Sequence, residues 1–355
     1  MVRASQDAKP QADSVPCNTR EGAPGVPSAR ADWDAFAEQV LCQLLTAFQQ
    51  IEVTVGSTRG GAPLTVRVHM PYMMQSVTIL DDKAASAGLK PKHRDRLRRV
   101  KAARDAAPPA VKAFLQEQFY ATDGGECYVA KGRASPEDVQ VLLQEAVDRG
   151  LVPFDEGKAH PDAGDLRGWL RRYGVGVDCS GFVQYALNAV LAASYAALGR
   201  TPAETEGTGF VRAGWVYRQA SADLRGSEAR FRPVPTPGEA GPGDVLVSPS
   251  HIRIVVSAIA CAGRGLVLDL AESTSAPGIP CGLSTEEADI GPRLIQLCYP
   301  APARPIREQL PLRRGPGESA FREADEERQY ILGRCRWLDP PPVMADDRHC
   351  GCRVG

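Results

Sequence analysis

Residues 178–198, DCSGFVQYALNAVLAASYAAL, place the tightest constraint on the fold. Phe182, Tyr185, Ala186, Ala189, Val190, Ala193, Ala197 and Leu198 recur with a helical period. Asp178 is a strong N-cap residue and Gly199 fits a C-cap. The spacing predicts a helix of about 20 residues, roughly 30 Å long. It is apolar around most of its circumference, so it must be buried against another layer. The downstream pattern supplies that layer. VLVS (245–248), HIRIVVSAIA (251–260), GLVLDLAES (265–273) and RLIQLCYP (293–300) read as strands. One buried helix followed by a run of strands predicts an α+β fold, with the helix on an antiparallel sheet, rather than a βαβ repeat.

The preceding half has a different texture. Residues 1–30 carry almost no large apolar side chain and read as a disordered arm. From Trp33 to Phe48 an apolar face recurs at three and four. IEVTV (51–55) and LTVRVHM (64–70) alternate with period two, as a hairpin does. Residues 89–105 form a basic run that reads as a solvated helix face. Short helices are expected over 109–119 and from Ser135, whose Pro136 suits the first helical position. A chain of 355 residues suggests about two domains. The Gly, His, Pro and Asp loop at 156–164 marks the boundary. The expected organisation is an arm (1–30), an N-terminal α/β-mixed region (31–158), a second domain (159–340) and a flexible tail with Cys350 and Cys352 (341–355).

Composition excludes several classes. Lys and Arg number 42 against 43 Asp and Glu, a net charge of −1. A protein that binds nucleic acid by neutralising phosphates is usually basic, so no nucleic-acid partner is expected. No run of 18 apolar residues occurs, so no membrane-spanning helix is expected. The N-terminal residues show no apolar signal core, which implies a cytoplasmic location or export by a route without a signal peptide. The 34 glycines and 29 prolines indicate long loops. Ten cysteines at irregular spacing, without an export signal, read as free thiols rather than a disulfide scaffold. Cys335, His349, Cys350 and Cys352 match no zinc-ligand spacing, so no metal or cofactor is expected.

Cys179 stands apart because it opens the buried helix. Backbone N–H groups and the helix dipole favour a thiolate there, and the thiolate is the nucleophilic form. Such a nucleophile needs a base. His251 is the one histidine of the strand-rich stretch, and it opens a strand after the loop SPS. A hairpin turn centred on Ala262 and Gly263 sets His251 opposite residues 272 to 274. Glu272 is then directly or diagonally adjacent, on the face of Leu266, Leu268 and Leu270. Asp269 lies on the other face and becomes the alternative orienting carboxylate if the register slips by one residue. Arg253 points to the same face as His251. It is either a substrate-carboxylate contact or the partner of Glu272 or Asp269.

The residues GVDCSGFV and PGDVLVSPSHIRIVV resemble the two signature blocks of the NlpC-type cysteine peptidases, papain-like enzymes of bacterial cell-wall turnover. Asp178, Cys179, Ser180, Gly181 and Phe182 match the first block; Gly243, Asp244 and His251 match the second. The resemblance covers about residues 165–300. It implies a papain-like core with Cys179 as nucleophile, His251 as base, and Asp178, Ser180, Gly181 and Asp244 in support. The family often has His as third polar residue, where this chain offers Glu272 or Asp269. Arg253 stands where a small residue is usual. The implied reaction is hydrolysis of an amide in a peptidoglycan stem peptide, after a γ-linked D-glutamate. The partner is then a peptide or peptidoglycan fragment. Papain-like folds also support deamidation and acyl transfer, as in delivered toxins, or serve as non-catalytic binding modules.

Overall fold

The computed structural model describes residues 30–56, 60–73, 76–89, 91–120, 128–197, 231–248, 251–261, 265–274, 291–314 and 329–338. The expected arm, except Arg30, and the expected tail lie outside these residues. Among them the helices are α1 (Arg30–Gln49), α2 (Lys83–Ala87), α3 (Pro91–Asp105), α4 (Pro109–Phe119), α5 (Pro136–Asp148), α6 (Ala163–Tyr173) and α7 (Cys179–Ala197). The strands are β1 (Ile51–Val55), β2 (Leu64–Val68), β3 (Phe231–Pro233), β4 (Val245–Val247), β5 (Ile252–Cys261), β6 (Gly265–Thr274), β7 (Gly291–Tyr299), β8 (Leu312–Arg314) and β9 (Ile331–Cys335).

Local chemistry accounts for the helix ends. Ser135 and Asp138 form a capping box on α5, each side chain accepting the other's backbone N–H, with Pro136 in the first turn. Asp162 and Asp165 do the same for α6. Gly174 ends α6 in the left-handed conformation at φ 72°, which glycine adopts without a Cβ penalty.

β1 and β2 make a small antiparallel sheet. The other strands form one antiparallel seven-stranded sheet in the order β3-β9-β4-β5-β6-β7-β8. The fold is therefore α+β, with α7 packed on an antiparallel sheet. The sheet is wider than the four-strand run in the sequence: β3 and β8 form its two edges, and β9 arrives from far along the chain to pair between β3 and β4. Arg334 secures it. Its Nε and Nη2 donate to Asp244 Oδ1 and Oδ2 at 2.7 and 2.8 Å, and Nη2 also donates to the Glu239 carbonyl.

Both sheet faces are apolar. Val245, Val247, Ile252, Ile254, Val256 and Ala271 join the core that contains α1 and α7. Leu246, Val255, Leu266, Leu268, Leu270 and Ile295 line the other face, under Tyr330 and Ile306. The leucines of β6 are thus core residues, but on the face away from α7. The larger core also takes Trp33, Val53, Phe114 and Leu143 from the first half, so both sides of residue 158 share one interior.

The expectation that the thiols are free is corrected at Cys42, a buried residue of α1 that is disulfide-bonded. Spacing along the chain gave no sign of it, because a disulfide depends on proximity in space. Cys335, weighed above as a metal ligand with His349, Cys350 and Cys352, is a buried β9 residue opposite Phe231. His349, Cys350 and Cys352 lie outside the described residues.

Candidate active site

Cys179 is the first residue of α7, a half-buried free thiol. The turn that holds it is built by Asp178. Asp178 Oδ1 accepts from the Gly181 N–H at 2.6 Å and the Ser180 hydroxyl at 3.0 Å, and pairs with Arg133 Nη1. The N–H of Asp178 donates to the Gly132 carbonyl at 3.0 Å. A carboxylate beside a nucleophilic thiol would oppose its ionisation, but this one caps the helix and is matched by a guanidinium. Gly181 is needed for the packing. A Cβ there would stand 2.8 Å from the Gly132 oxygen and 2.9 Å from Arg133 Nη1.

His251 directly precedes β5. Its N–H donates to Ser248 Oγ and its carbonyl accepts from the Ser248 N–H at 2.9 Å, which fixes the backbone at the strand entry. Its Nε2 lies 2.8 Å from Glu272 Oε2, and its side chain is 14% exposed. Burial pulls the imidazole pKa down. Hydrogen bonding to Cys179 and to Glu272, with the negative charge of each, more than reverses that and lifts it to about 9. The nucleophile and the carboxylate thus both favour the charged ring.

Glu272 is 1% exposed and carries more than one partner. Oε2 also accepts from Arg253 Nε at 2.8 Å, and Oε1 accepts from Arg293 Nε at 2.8 Å and Nη2 at 2.6 Å. Burial opposes its ionisation, yet Arg293, Arg253 and His251 together hold it well below the usual carboxylate range. Arg253 also stacks on the Tyr330 ring, its Cζ 4.5 Å from the centroid. Of the two roles open to Arg253, the structure places it in an ion pair with Glu272. Asp269 lies elsewhere, accepting from Ser257 Oγ at 2.6 Å and Gln296 Nε2 at 2.8 Å. Asp244 is likewise engaged with Arg334 between β4 and β9.

Three neighbours have no signal in the sequence motifs. Tyr72 comes from the segment that bridges to Val177 just ahead of the nucleophile. Burial, followed by the negative charge of Cys179 and Asp178, keeps its phenol well above its usual pKa, against Arg96 and Arg133. Arg133 comes from the segment before α5. Both are far from Cys179 along the chain, and nothing local marks them. Arg293 pairs directly with Glu272 across β6 and β7. The sequence shows both strands, but the 16 residues from 275 to 290 leave their register unset.

Comparison with protein-family models, with curated proteins and with solved structures finds no match.

Proposed function

We propose that this chain is a papain-like cysteine hydrolase of the NlpC type that cleaves an amide bond, with a peptidoglycan stem peptide as substrate. The observation that carries the reading is the contact of His251 with Glu272 at 2.8 Å beside a thiol that opens a buried helix. These are the positions and residue types that nucleophilic acyl transfer requires. Cys179 Sγ attacks the carbonyl carbon as a thiolate. The His251 imidazolium then gives its proton to the leaving amine as the C–N bond breaks, leaving a thioester. Water attacks the thioester while His251 takes its proton, and a carboxylic acid and the free thiol are restored. The Cys179 N–H lies in the first turn, where helical N–H groups have no intrahelical acceptor. It is the candidate donor to the oxyanion.

The test is digestion of purified muropeptides by the full chain, read by mass spectrometry. The expected product pair is one water heavier in sum than the substrate and is split after the γ-linked D-glutamate. Cys179→Ala should leave the muropeptides intact. Intact muropeptides with the wild-type chain would remove this substrate from the reading.

A further inference from the structure

We infer that Arg293 and Arg253 are positioning residues that determine which nitrogen of His251 carries its proton; this rests on reading Cys179, His251 and Glu272 as a nucleophilic site. The arrangement of donors around Glu272 carries the inference. Oε1 receives two N–H groups from Arg293, and Oε2 receives one from Arg253 and faces His251 Nε2. A carboxylate has about four lone-pair positions. Three are taken by guanidinium N–H groups that can only donate. The fourth faces His251 Nε2, and the two guanidinium charges held against the carboxylate disfavour a proton there, so Glu272 acts as an acceptor toward the ring. The imidazole must then present N–H at Nε2. A neutral imidazole has one N–H, so Nδ1 keeps the lone pair and is left for the thiol of Cys179.

Without the two arginines the carboxyl would sit beside Leu268 and Leu270, on a strand face that is apolar and buried. Desolvation favours the protonated acid in such surroundings. A protonated Glu272 could donate to Nε2 and place the imidazole proton on Nδ1, facing the thiol, where no base would remain. The arginines prevent that inversion. In the step itself the thiol proton passes from Sγ to Nδ1, giving thiolate and imidazolium. Glu272 remains a carboxylate, and the proton later leaves with the amine. Among the described residues, the charged and titratable groups facing the pair are Arg253 on β5, Glu272 on β6, Arg293 on β7, and Tyr72, Arg133 and Asp178 around Cys179.

Two measurements test this. In the Cys179→Ala chain, nitrogen-15 NMR of His251 above its titration should show a protonated Nε2 and a bare Nδ1. A proton on Nδ1 overturns the proposal. In the intact chain, the pH profile of Cys179 alkylation by iodoacetamide should change in Arg293→Met. Removing a cation favours every protonated form, so the acid limb should move up by about one pH unit and the rate on that limb should fall about tenfold. Arg293→Lys should recover part of the loss. An acid limb unmoved in a folded Arg293→Met chain also overturns the proposal, and if that variant does not fold, the NMR result decides. Failure of the functional reading looks different: a wild-type Cys179 no more reactive than a free thiol, whatever the tautomer of His251.

Discussion

Glu272 meets His251 diagonally across the sheet, with Nε2 and Oε2 2.8 Å apart, because a bulge in β5 sets the register at that end. Near the hairpin turn Cys261 faces Gly265 and Ser257 faces Asp269. The ladder shifts between Val255 and Ser257, after which Val255 faces Leu270 and Ile254 faces Ala271. One more step sets Arg253 opposite Glu272 and keeps His251 on the same side. Without the shift, Glu272 would fall opposite Ile254, whose side chain joins the α7 core.

The two carboxylates of β6 should therefore separate cleanly on mutation. Glu272→Gln should slow Cys179 alkylation near neutral pH on the order of 10²-fold, the low end of what acid–base partners contribute. It should also destabilise the fold by about 3–5 kcal/mol, because the buried Arg253 and the partly buried Arg293 lose their anion. Asp269→Asn should leave alkylation within about twofold, since Asp269 serves Ser257 and Gln296. Alkylation kinetics paired with urea unfolding checks both statements.

The raised pKa of His251 gives a pH dependence of definite sign. Folding is favoured by its protonation, so that stabilisation is complete below the ordinary imidazole value of 6.5 and is lost as pH rises through about 9. Between those limits the loss should be on the order of 3 kcal/mol. Glu272 acts oppositely. Its contribution is present above the ordinary value of 4.5 and disappears as pH falls through its depressed folded value. Unfolding free energies measured from pH 6 to 10 should decline in wild type and stay flatter in His251→Ala. Amide hydrolysis, which needs the imidazolium to protonate the leaving amine, should fall above about pH 9.

Asp244 tests the distinction between support and chemistry. Its carboxylate is 1% exposed and bound bidentately by Arg334. Asp244→Asn should cost about 3–5 kcal/mol by leaving that guanidinium without its anion. In the folded fraction the rate of Cys179 alkylation should stay within about twofold of wild type. A large loss of reactivity without loss of stability would place Asp244 in the chemistry instead.

The parts of this molecule legible in the sequence are those governed by local rules. Helix α7 shows in its apolar period, and Asp178 caps Gly181 as an N-terminal carboxylate should. Strands β5 and β6 show in their alternation. Glu272 was reachable through the turn, although the turn centre implied by sequence differs by half a residue from the observed Cys261–Gly265 pair. The bulge near Val256, which has no sequence marker, offsets that difference at the site. β9 was not legible, because its five residues pair with β3 and β4, more than 80 positions earlier. Nor were Tyr72 and Arg133, which reach the Asp178–Cys179 turn only because the first half packs into the same core. The Cys42 disulfide escaped for the same reason, being a fact of space rather than of spacing.

The central claim is that Cys179 is a nucleophile activated by His251. Its most direct test is the rate of iodoacetamide labelling at each cysteine at pH 6, resolved by peptide mass spectrometry in wild type and His251→Ala. Cys179 should label faster than a free cysteine at that pH, and faster than the buried Cys298 and Cys335. His251→Ala should lower its rate at least about tenfold. Cys179 labelling no faster than free cysteine, or at a rate indifferent to His251→Ala, would contradict the account.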